Sequence, residues 1–377
     1  MNFDVLRSFQ DSLFDYGIAG NDLCVSVAGK NVFRYMTGWA DMEGGVPVTE
    51  DTIFQMYSMT KPITCTAALI LYERGKFLLE EPVSDYLPEF KEMHVKTENG
   101  IVPCKNPVRI IDLFTMSSGL NYDFQSPALA KLYDSKPNFT ARDAVKALAS
   151  EPLEFEPGEH YLYSFSHDVL GVLIEEISGK TLGKFFRDEI FDPLHMDSAS
   201  FRLTEKMLPH FARTYPFVKG EPPKKALPIK SSPLFISDTF ESGGGGLMMT
   251  VNDYMKFADC MTNRGKCPKT GARLLSGGMV DAMRENQLDE NRLKSFRSTP
   301  ARYGYGYGLG VRTLMSKGQS GSAGAAGEFG WGGMCGTYLL MDPQNRLSIV
   351  YAMAASPSPN TEIQRRLRNI VYRAIEE

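Results

Sequence analysis

Ser58 and Lys61 stand three residues apart, directly before an apolar run from Ile63 to Leu71. If a helix begins near Ser58, residues at this spacing share one face, so the hydroxyl and the amine can meet. Ser58 would lie among the free N–H groups of the helix N-terminus, where the dipole favours negative charge. A half-buried lysine there would have a lowered pKa and could accept the hydroxyl proton, which predicts a serine nucleophile. On its own, the two-residue pattern fits an ordinary amphipathic helix with a surface lysine at least as well.

A serine nucleophile needs a proton shuttle, and residues 156–171 contain a candidate. The stretch runs from a Pro-Gly turn through aromatic residues into a predicted helix near Ser166. Tyr163 lies in the loop before that helix, and a nearby lysine ammonium would stabilise its phenolate as a base. The alternative is that Tyr161 and Tyr163 are core aromatics.

A serine nucleophile also needs an oxyanion hole, and residues 327–339 are the candidate. Several glycines accompany Trp331 at the start of a β-rich run, and glycine in such a pattern often marks the close approach of a ligand or backbone. An edge strand here could direct the Met334 N–H toward the same point as the Ser58 N–H. A β-bulge or a crowded packing site is the alternative interpretation.

The hydrophobic patterns predict an α/β (α+β) fold in which both termini build one antiparallel sheet, flanked by helices, with a mostly helical lobe inserted. We expect one domain over residues 1–377, with an α/β lobe at approximately 1–75 and 250–377 and a helical lobe at approximately 76–249. Ser58 would lie where the lobes meet, and pockets tend to form at such junctions. The predicted strands cover 23–27, 32–38, 305–314, 327–331, 337–341 and 347–352, and the predicted helices cover 3–16, about 15 residues from Ser58, 108–116, 141–150, 166–178, 181–191, 252–263, 276–284 and 360–376.

Composition and charge exclude several classes of function. The chain has 377 residues, of which 43% are hydrophobic and 23% charged, as in globular proteins. A net charge of −4 without a basic block argues against a nucleic-acid partner. We find neither a secretory signal nor the roughly 18 apolar residues of a membrane span, so we expect a cytoplasmic protein. The six cysteines are scattered, which indicates reduced, buried thiols.

Other kinds of catalytic site find little support. No Gly-x-Ser-x-Gly elbow, zinc signature or phosphate-binding loop is present, so we expect no metal and no cofactor. His167 is close to Tyr163 in sequence, but a surface position at a helix start is the favoured interpretation. A literal Lys-Thr-Gly at residues 269–271 lies in a turn-rich stretch without neighbouring strands, which argues against a role in the active site.

In combination, the motifs resemble those of the serine β-lactamase and penicillin-binding-protein superfamily, and specifically those of its family VIII carboxylesterases. The resemblance covers about residues 15–355 and implies a β-lactamase/transpeptidase-like fold. Its motifs occur in matching order at residues 57–61, 111–120, 157–171, 243–253 and 330–333.

The resemblance also implies roles for individual residues. Ser58 would be the nucleophile, Lys61 its activating partner and Tyr163 the general base, while the Ser58 and Met334 amides would form the oxyanion hole. The residues expected to contact substrate are Tyr57, Phe165, Trp331, Gly332 and Gly333.

Two departures from the class C β-lactamase pattern bear on the substrate. Residues 163–165 lack the Asn of Tyr-x-Asn, and residues 331–333 lack the cation of Lys-Thr-Gly. Both changes should make the pocket more apolar, which favours neutral substrates. The leading expectation is a serine hydrolase that cleaves small carboxylic esters through an acyl-enzyme on Ser58. The alternatives are a class C-type β-lactamase or D-amino-acid peptidase, an acyltransferase, and a non-catalytic penicillin-binding relative.

Overall fold

A computed structural model describes residues 1–229, 232, 234 and 237–376 of the chain. Most strands of the described chain lie toward its two ends, and six consecutive α-helices with no strand between them occupy residues 110–194. The strands are β1 Gly20–Val27, β2 Lys30–Asp41, β3 Val46–Pro47, β4 Ile53–Gln55, β5 His94–Thr97, β6 Gly100–Pro103, β7 Tyr215–Pro216, β8 Met248–Thr250, β9 Tyr305–Tyr307, β10 Arg312–Leu314, β11 Phe329–Gly332, β12 Tyr338–Asp342, β13 Leu347–Met353 and β14 Ala355–Ser356.

The helices are distributed over the whole of the described chain. The α-helices are α1 Asp4–Asp11, α2 Leu13–Tyr16, α3 Thr60–Glu73, α4 Ile110–Phe114, α5 Pro127–Ser135, α6 Ala141–Ala149, α7 Ser166–Ser178, α8 Leu182–Phe186, α9 Asp192–Leu194, α10 Val251–Thr262, α11 Gly277–Arg284, α12 Glu290–Phe296, α13 Lys317–Ser320 and α14 Asn360–Glu376, and a π-helical segment, Arg187–Phe191, joins α8 to α9.

Within the described residues, eight strands form one antiparallel sheet in the order β3-β2-β1-β13-β12-β11-β10-β9. Strand β1 joins the two ends of the chain, because it pairs with β2 on one side and with β13 on the other. The predicted antiparallel sheet from both termini is therefore confirmed. The division into lobes at residues 75 and 250 stays a prediction.

Helices cover both faces of this sheet, which explains why β12 and β13 are buried along their whole length. One face packs against α1 and α14, with Leu340 and Leu367 in the same apolar cluster. The other face packs against α3 and α10, with Leu339 and Val350 in the main core. Alternate residues of these strands thus pack into different apolar clusters on opposite faces of the sheet, as the two-residue period of a strand requires.

Helix α3, which follows Ser58, is the central helix of the protein. Its residues from Thr60 to Leu71 are all buried, as expected for a helix that is apolar on every side. It packs against α7, whose bounds match the prediction. Thr250 caps α10, because its side chain accepts a hydrogen bond from the Asp253 N–H.

Several local features differ from the sequence-based expectations. Residues 286–302, for which neither a helix nor a strand was predicted, contain α12, whose N-cap Asp289 accepts a hydrogen bond from the Arg292 N–H. The strand expected over 305–314 is divided into β9 and β10 by a turn in which Gly310 has a φ of +86°. The helical region also contains α5 and the hairpin of β5 and β6, because tertiary packing can stabilise such short elements without a strong local signal.

The stretch over residues 215–235, for which neither a helix nor a strand was predicted, begins with β7, which pairs with β14 in parallel; this stretch is referred to below as a loop. Residues 230, 231, 233, 235 and 236 of this loop lie outside the described residues. All six cysteines are free thiols, and five of them are buried. No helix in the described part of the chain has the length and apolar character that crossing a membrane requires.

Candidate active site

Ser58 lies in a single 3₁₀ turn, Tyr57–Met59, that leads directly into α3. Tyr57 has a φ of +46°, a left-handed conformation that is strained for a bulky residue and is typical of functional turns. Two contacts of Met56 hold this turn in place: its N–H donates to the Leu247 carbonyl at 2.8 Å, and its carbonyl accepts from the Thr337 hydroxyl at 2.9 Å. The side chain of Ser58 therefore reaches the cavity from a rigid turn.

Pairing of β4 with β8 produces the first of these contacts, because it brings residues 53–55 alongside residues 248–250. The glycine-rich residues 243–246 consequently lie against the start of α3. The sequence motifs around 57–61 and 243–253 are close in space for this reason, although the strands that join them are three residues long.

Lys61 is fully buried rather than half-buried as expected. Its Nζ donates a 2.6 Å hydrogen bond to the Gly244 carbonyl and lies 3.4 Å from both Ser58 Oγ and the Tyr122 hydroxyl. Burial lowers the pKa of Lys61, but the nearby oxygens of Tyr122, Tyr163 and Asp168 outweigh burial and raise it above its usual value. The expected lowering of this pKa is therefore wrong, and the group is an ammonium at neutral pH.

Tyr163 reaches Ser58 from the loop before α7. Its hydroxyl donates to Ser58 Oγ at 2.6 Å, and Lys61 Nζ lies 4.5 Å from the centre of its ring. The ring stacks on Trp331 with centroids 5.8 Å apart and an angle of 16° between the planes. The structure thus brings together Ser58, Lys61, Tyr163 and Trp331, which the sequence had singled out separately.

Two further residues at this site were not identified from the sequence. The Tyr122 ring meets the Tyr163 ring edge-on, with centroids 5.0 Å apart. Asp168 accepts from the Gly244 N–H at 3.1 Å, and so fixes the peptide segment whose carbonyl holds Lys61. Burial raises the pKa of Asp168. In the sequence, Asp168 lies within the motif at residues 157–171 and Tyr122 closely follows the motif at residues 111–120. These positions were the only signals that could have identified the two residues.

The turn after β11 packs directly against the Tyr57–Met59 turn that contains Ser58. The Gly333 N–H donates to the Thr337 carbonyl at 2.8 Å, and Asn360 donates to the Gly333 carbonyl at 2.8 Å. A Cβ added at Gly333 would lie 2.1 Å from Thr337 Oγ1 and 2.4 Å from the Met56 carbonyl, so only glycine fits. This close approach explains one of the predicted glycines, and Met334 follows it at the edge of the cavity.

A cavity of about 400 Å³ opens beside Ser58. Tyr57, Gly332 and Gly333 line it as expected, whereas Phe165 does not. Phe165 instead packs behind the wall, with its ring centroid 4.8 Å from that of Tyr122 and equally far from that of Phe124. The aromatic residues that line the cavity near Ser58 are Tyr122, Phe124, Tyr163 and Trp331.

The pocket that the sequence predicted to be more apolar is lined by both aromatic and charged residues. The wall beside Ser58 is aromatic, but the end of the cavity next to α14 is lined by guanidinium groups. These belong to Arg302, Arg312, Arg365 and Arg368.

His167 is buried, so the expected surface position is wrong. Its Nε2 lies 3.3 Å from the Phe114 carbonyl and 3.5 Å from Cys65 Sγ. Burial, followed by the positive charge of Lys61, lowers the pKa of His167 to about 3. Residues 269–271 form a turn and do not line the cavity.

The site offers no evident metal-binding group. Among the described residues, no three His, Cys, Asp or Glu side chains lie close enough together to hold an ion. The chemistry that the arrangement permits is proton transfer from the Ser58 hydroxyl to the phenolate form of Tyr163, which the Lys61 ammonium stabilises before the transfer.

Comparison with known proteins identifies relatives over nearly the whole chain. The family model described as beta-lactamase matches residues 5–373. Protein Rv1367c of Mycobacterium tuberculosis is 30% identical over 331 residues, which are 85% of this chain and 82% of the relative. Esterase EstB of Burkholderia gladioli is 29% identical over 368 residues, with coverages of 90% and 88%. The solved structure of EstCE1, a hydrolase with promiscuous acyltransferase activity, has a TM-score of 0.82 at 23% identity and 97% coverage of both chains.

Proposed function

The chain belongs to the beta-lactamase family, and on that basis we propose that it is a serine hydrolase that cleaves small carboxylic esters through an acyl-enzyme on Ser58. The observation that carries the proposal is the 2.6 Å hydrogen bond between the Tyr163 hydroxyl and Ser58 Oγ, with Lys61 Nζ 3.4 Å from the same oxygen. A nucleophile and its base must lie within hydrogen-bond reach, and this pair does. The esterase name of the Burkholderia relative supports the choice of substrate class.

The reacting state is the Tyr163 phenolate, formed when the phenol proton passes to solvent and stabilised by the Lys61 ammonium. In the first half-reaction, the Ser58 proton passes to this phenolate oxygen, which becomes neutral, as Ser58 Oγ bonds to the ester carbonyl carbon and the carbonyl oxygen takes the negative charge. The backbone N–H groups of Ser58 and Met334 are the proposed donors to the oxyanion. The tetrahedral intermediate collapses when the carbon–oxygen bond to the alcohol breaks, and Tyr163 returns the proton to the departing alkoxide.

In the second half-reaction, water replaces the alcohol. Tyr163 accepts a proton from water as the water oxygen bonds to the acyl carbon, and the bond to Ser58 Oγ then breaks as Tyr163 protonates that oxygen. The carboxylic acid leaves and the site returns to its starting state. Each residue thus acts in both halves, which is consistent with microscopic reversibility.

Hydrolysis of p-nitrophenyl butyrate tests this proposal directly. We expect turnover by the wild-type protein and loss of it in Ser58→Ala. Rapid turnover of nitrocefin with poor hydrolysis of esters would instead favour a β-lactamase.

Acyl transfer is a second candidate, supported by the cavity beside Ser58, which is large enough to admit an alcohol in place of water. The product then depends on which acceptor reaches the acyl group. Addition of a primary alcohol to the ester reaction distinguishes the two functions, because transfer yields a new ester and hydrolysis yields the free acid.

A further inference from the structure

We propose that Met334 is a site of reversible oxidation by peroxides, and that the sulfoxide formed there lowers turnover in the catalytic cavity. The oxidation is a property of the thioether alone, whereas its effect on turnover rests on the proposed hydrolysis at Ser58. Met334 lines the cavity beside Ser58 and also a second cavity, of about 90 Å³, which shares Tyr57 with the first. The residue therefore lies at the boundary between the two cavities.

Met334 differs from the other methionines because it is both exposed and part of the wall of the catalytic cavity. The chain has 19 methionines, all of them within the described residues. Three of them are exposed: Met1 by 59%, Met315 by 43% and Met334 by 53%. Met1 and Met315 do not line the catalytic cavity. Met56 and Met59, on either side of the nucleophilic serine, are fully buried. A peroxide in solvent can thus reach a methionine sulfur at the wall of this cavity only at Met334.

The sulfur of Met334 is also free to react. Oxidation begins when a lone pair of the sulfur attacks a peroxide oxygen. In Met315, Sδ accepts a 3.3 Å hydrogen bond from the Arg297 guanidinium, which engages one of its lone pairs. No described residue donates a hydrogen bond to Met334 Sδ. We therefore expect Met334 to be oxidised faster than Met315, although both are exposed.

The reaction needs a peroxide as its only co-reactant. The lone pair of Met334 Sδ forms a sulfur–oxygen bond as the oxygen–oxygen bond of the peroxide breaks. The sulfur is oxidised by two electrons. The departing oxygen takes up the proton of the transferred oxygen and leaves as water or as an alcohol. The product is a sulfoxide, which methionine sulfoxide reductases return to the thioether.

The turn that carries Met334 is held on both sides, so the sulfoxide stays at the wall of the cavity. The Gly333 carbonyl accepts from the Asn360 side chain at 2.8 Å. The Cys335 carbonyl accepts from the Ala355 N–H at 3.0 Å. Oxidation converts a flexible apolar side chain into a polar one whose oxygen accepts hydrogen bonds. That oxygen adds partial negative charge near the Met334 N–H, the proposed oxyanion donor, where the transition state also becomes negative.

A time course of peroxide treatment tests the site of oxidation. The wild-type protein is treated with dilute hydrogen peroxide, the remaining peroxide is removed with catalase, and the digested protein is mapped by mass spectrometry. We expect Met334 to gain one oxygen before Met315 and well before the buried methionines. Oxidation of Met315 while Met334 stays a thioether would overturn the proposal.

Activity measured on the same samples tests the effect on turnover. Because Met334 belongs to the proposed oxyanion hole, the kcat/KM of each protein for p-nitrophenyl butyrate is divided by its own value before treatment. We expect a fall of about tenfold or more in the wild type once Met334 is fully oxidised, somewhat less than for loss of a whole oxyanion donor. Met334→Leu should keep its own starting activity through the treatment. The matched control Met315→Leu should lose activity as the wild type does.

Reversal distinguishes the sulfoxide from oxidised cysteine. A methionine sulfoxide reductase with dithiothreitol should restore the treated wild type, whereas dithiothreitol alone, which reduces disulfides and sulfenic acids, should not. Equal loss of activity in the wild type and Met334→Leu, or full activity with Met334 oxidised, would overturn the proposal. If no ester is hydrolysed before treatment, the proposed function is wrong, and the peptide map alone then decides the oxidation site.

Discussion

Tyr163 donates a 2.6 Å hydrogen bond to the Oγ of Ser58, although 105 residues separate the two along the chain. Lys61 completes the arrangement, with its Nζ 3.4 Å from the same oxygen and 4.5 Å from the centre of the Tyr163 ring. Loss of the phenol proton would leave a phenolate within direct reach of the serine proton. The Lys61 ammonium, itself held by the Gly244 carbonyl, would stabilise that phenolate.

Removing the Tyr163 hydroxyl should remove the proton shuttle. In Tyr163→Phe we expect kcat/KM for p-nitrophenyl butyrate to fall by about 10²-fold or more, the range of general acid–base contributions. Tyr161→Phe is the matched control, because the buried Tyr161 hydroxyl has no hydrogen-bond partner among the described residues. Near-normal turnover by Tyr163→Phe would assign the base elsewhere.

Replacing Lys61 by methionine should lower kcat and also destabilise the protein. Because its folded pKa lies above the unfolded value of 10.5, the stabilisation by this ammonium is fully present below about pH 10 and is lost only as pH rises through the folded pKa. The difference in unfolding free energy between wild type and Lys61→Met should thus stay constant from about pH 7 to 10.

Denaturant unfolding at several pH values measures this difference. A neutral lysine with a lowered pKa would give the opposite pattern, because the unfolded chain would bind a proton that the folded protein does not. The wild type would then gain stability relative to Lys61→Met by up to about 1.4 kcal/mol for each pH unit toward 10. That result would contradict the charged state described here.

Gly333→Ala should impair the site, because its Cβ would come within 2.4 Å of the Met56 carbonyl, next to the turn that contains Ser58. We expect a fall of at least about tenfold in kcat/KM and a loss of about 1–3 kcal/mol in stability, the range for an extra group forced into a tightly packed site. Gly318→Ala is the control, since nothing lies within 4 Å of its Cβ position. Full activity in Gly333→Ala would show that the turn can shift without moving the catalytic groups.

His167 should make stability dependent on pH on the acid side. Burial lowers its pKa to about 3, so below the usual value of 6.5 the unfolded chain binds a proton that the folded protein does not. Stability therefore falls as pH drops from 6.5 toward 3, by up to about 1.4 kcal/mol per pH unit from this group. The stability of His167→Asn should depend less steeply on pH than that of the wild type. The control His94→Gln, at an exposed position, should keep the wild-type dependence. Equal slopes in wild type and His167→Asn would contradict the buried, neutral histidine.

The sequence predicted the elements that carry strong periodic patterns. Helix α7 was predicted with its observed bounds. The helix after Ser58 was predicted from its apolar run, and the structure shows that this helix, α3, is buried on every side. The pairing of β4 with β8 was not predicted, because three-residue strands almost 200 residues apart leave no local pattern. That pairing nevertheless places Gly244 against Lys61.

Charge and burial at the site were the least predictable features. The helical spacing of Ser58 and Lys61 indicated that the two side chains could meet. It did not indicate that Lys61 is fully buried, because charged residues seldom are, and only the tertiary structure reveals this burial. The converging arginines were missed for a related reason: hydrophobic periodicity marks the face of an element that is buried, not the polar side chains that meet across a cavity. Arg302 and Arg368, for example, come from different segments of the chain.

The most direct test of the account is the identity of the acylated residue. The wild-type protein is mixed with excess p-nitrophenyl butyrate, quenched with acid within the first turnovers and examined by mass spectrometry. We predict one butyryl group on the peptide that contains Ser58, and neither adduct nor turnover in a folded Ser58→Ala protein. A butyryl group on a different residue, or undiminished hydrolysis by Ser58→Ala, would contradict the account.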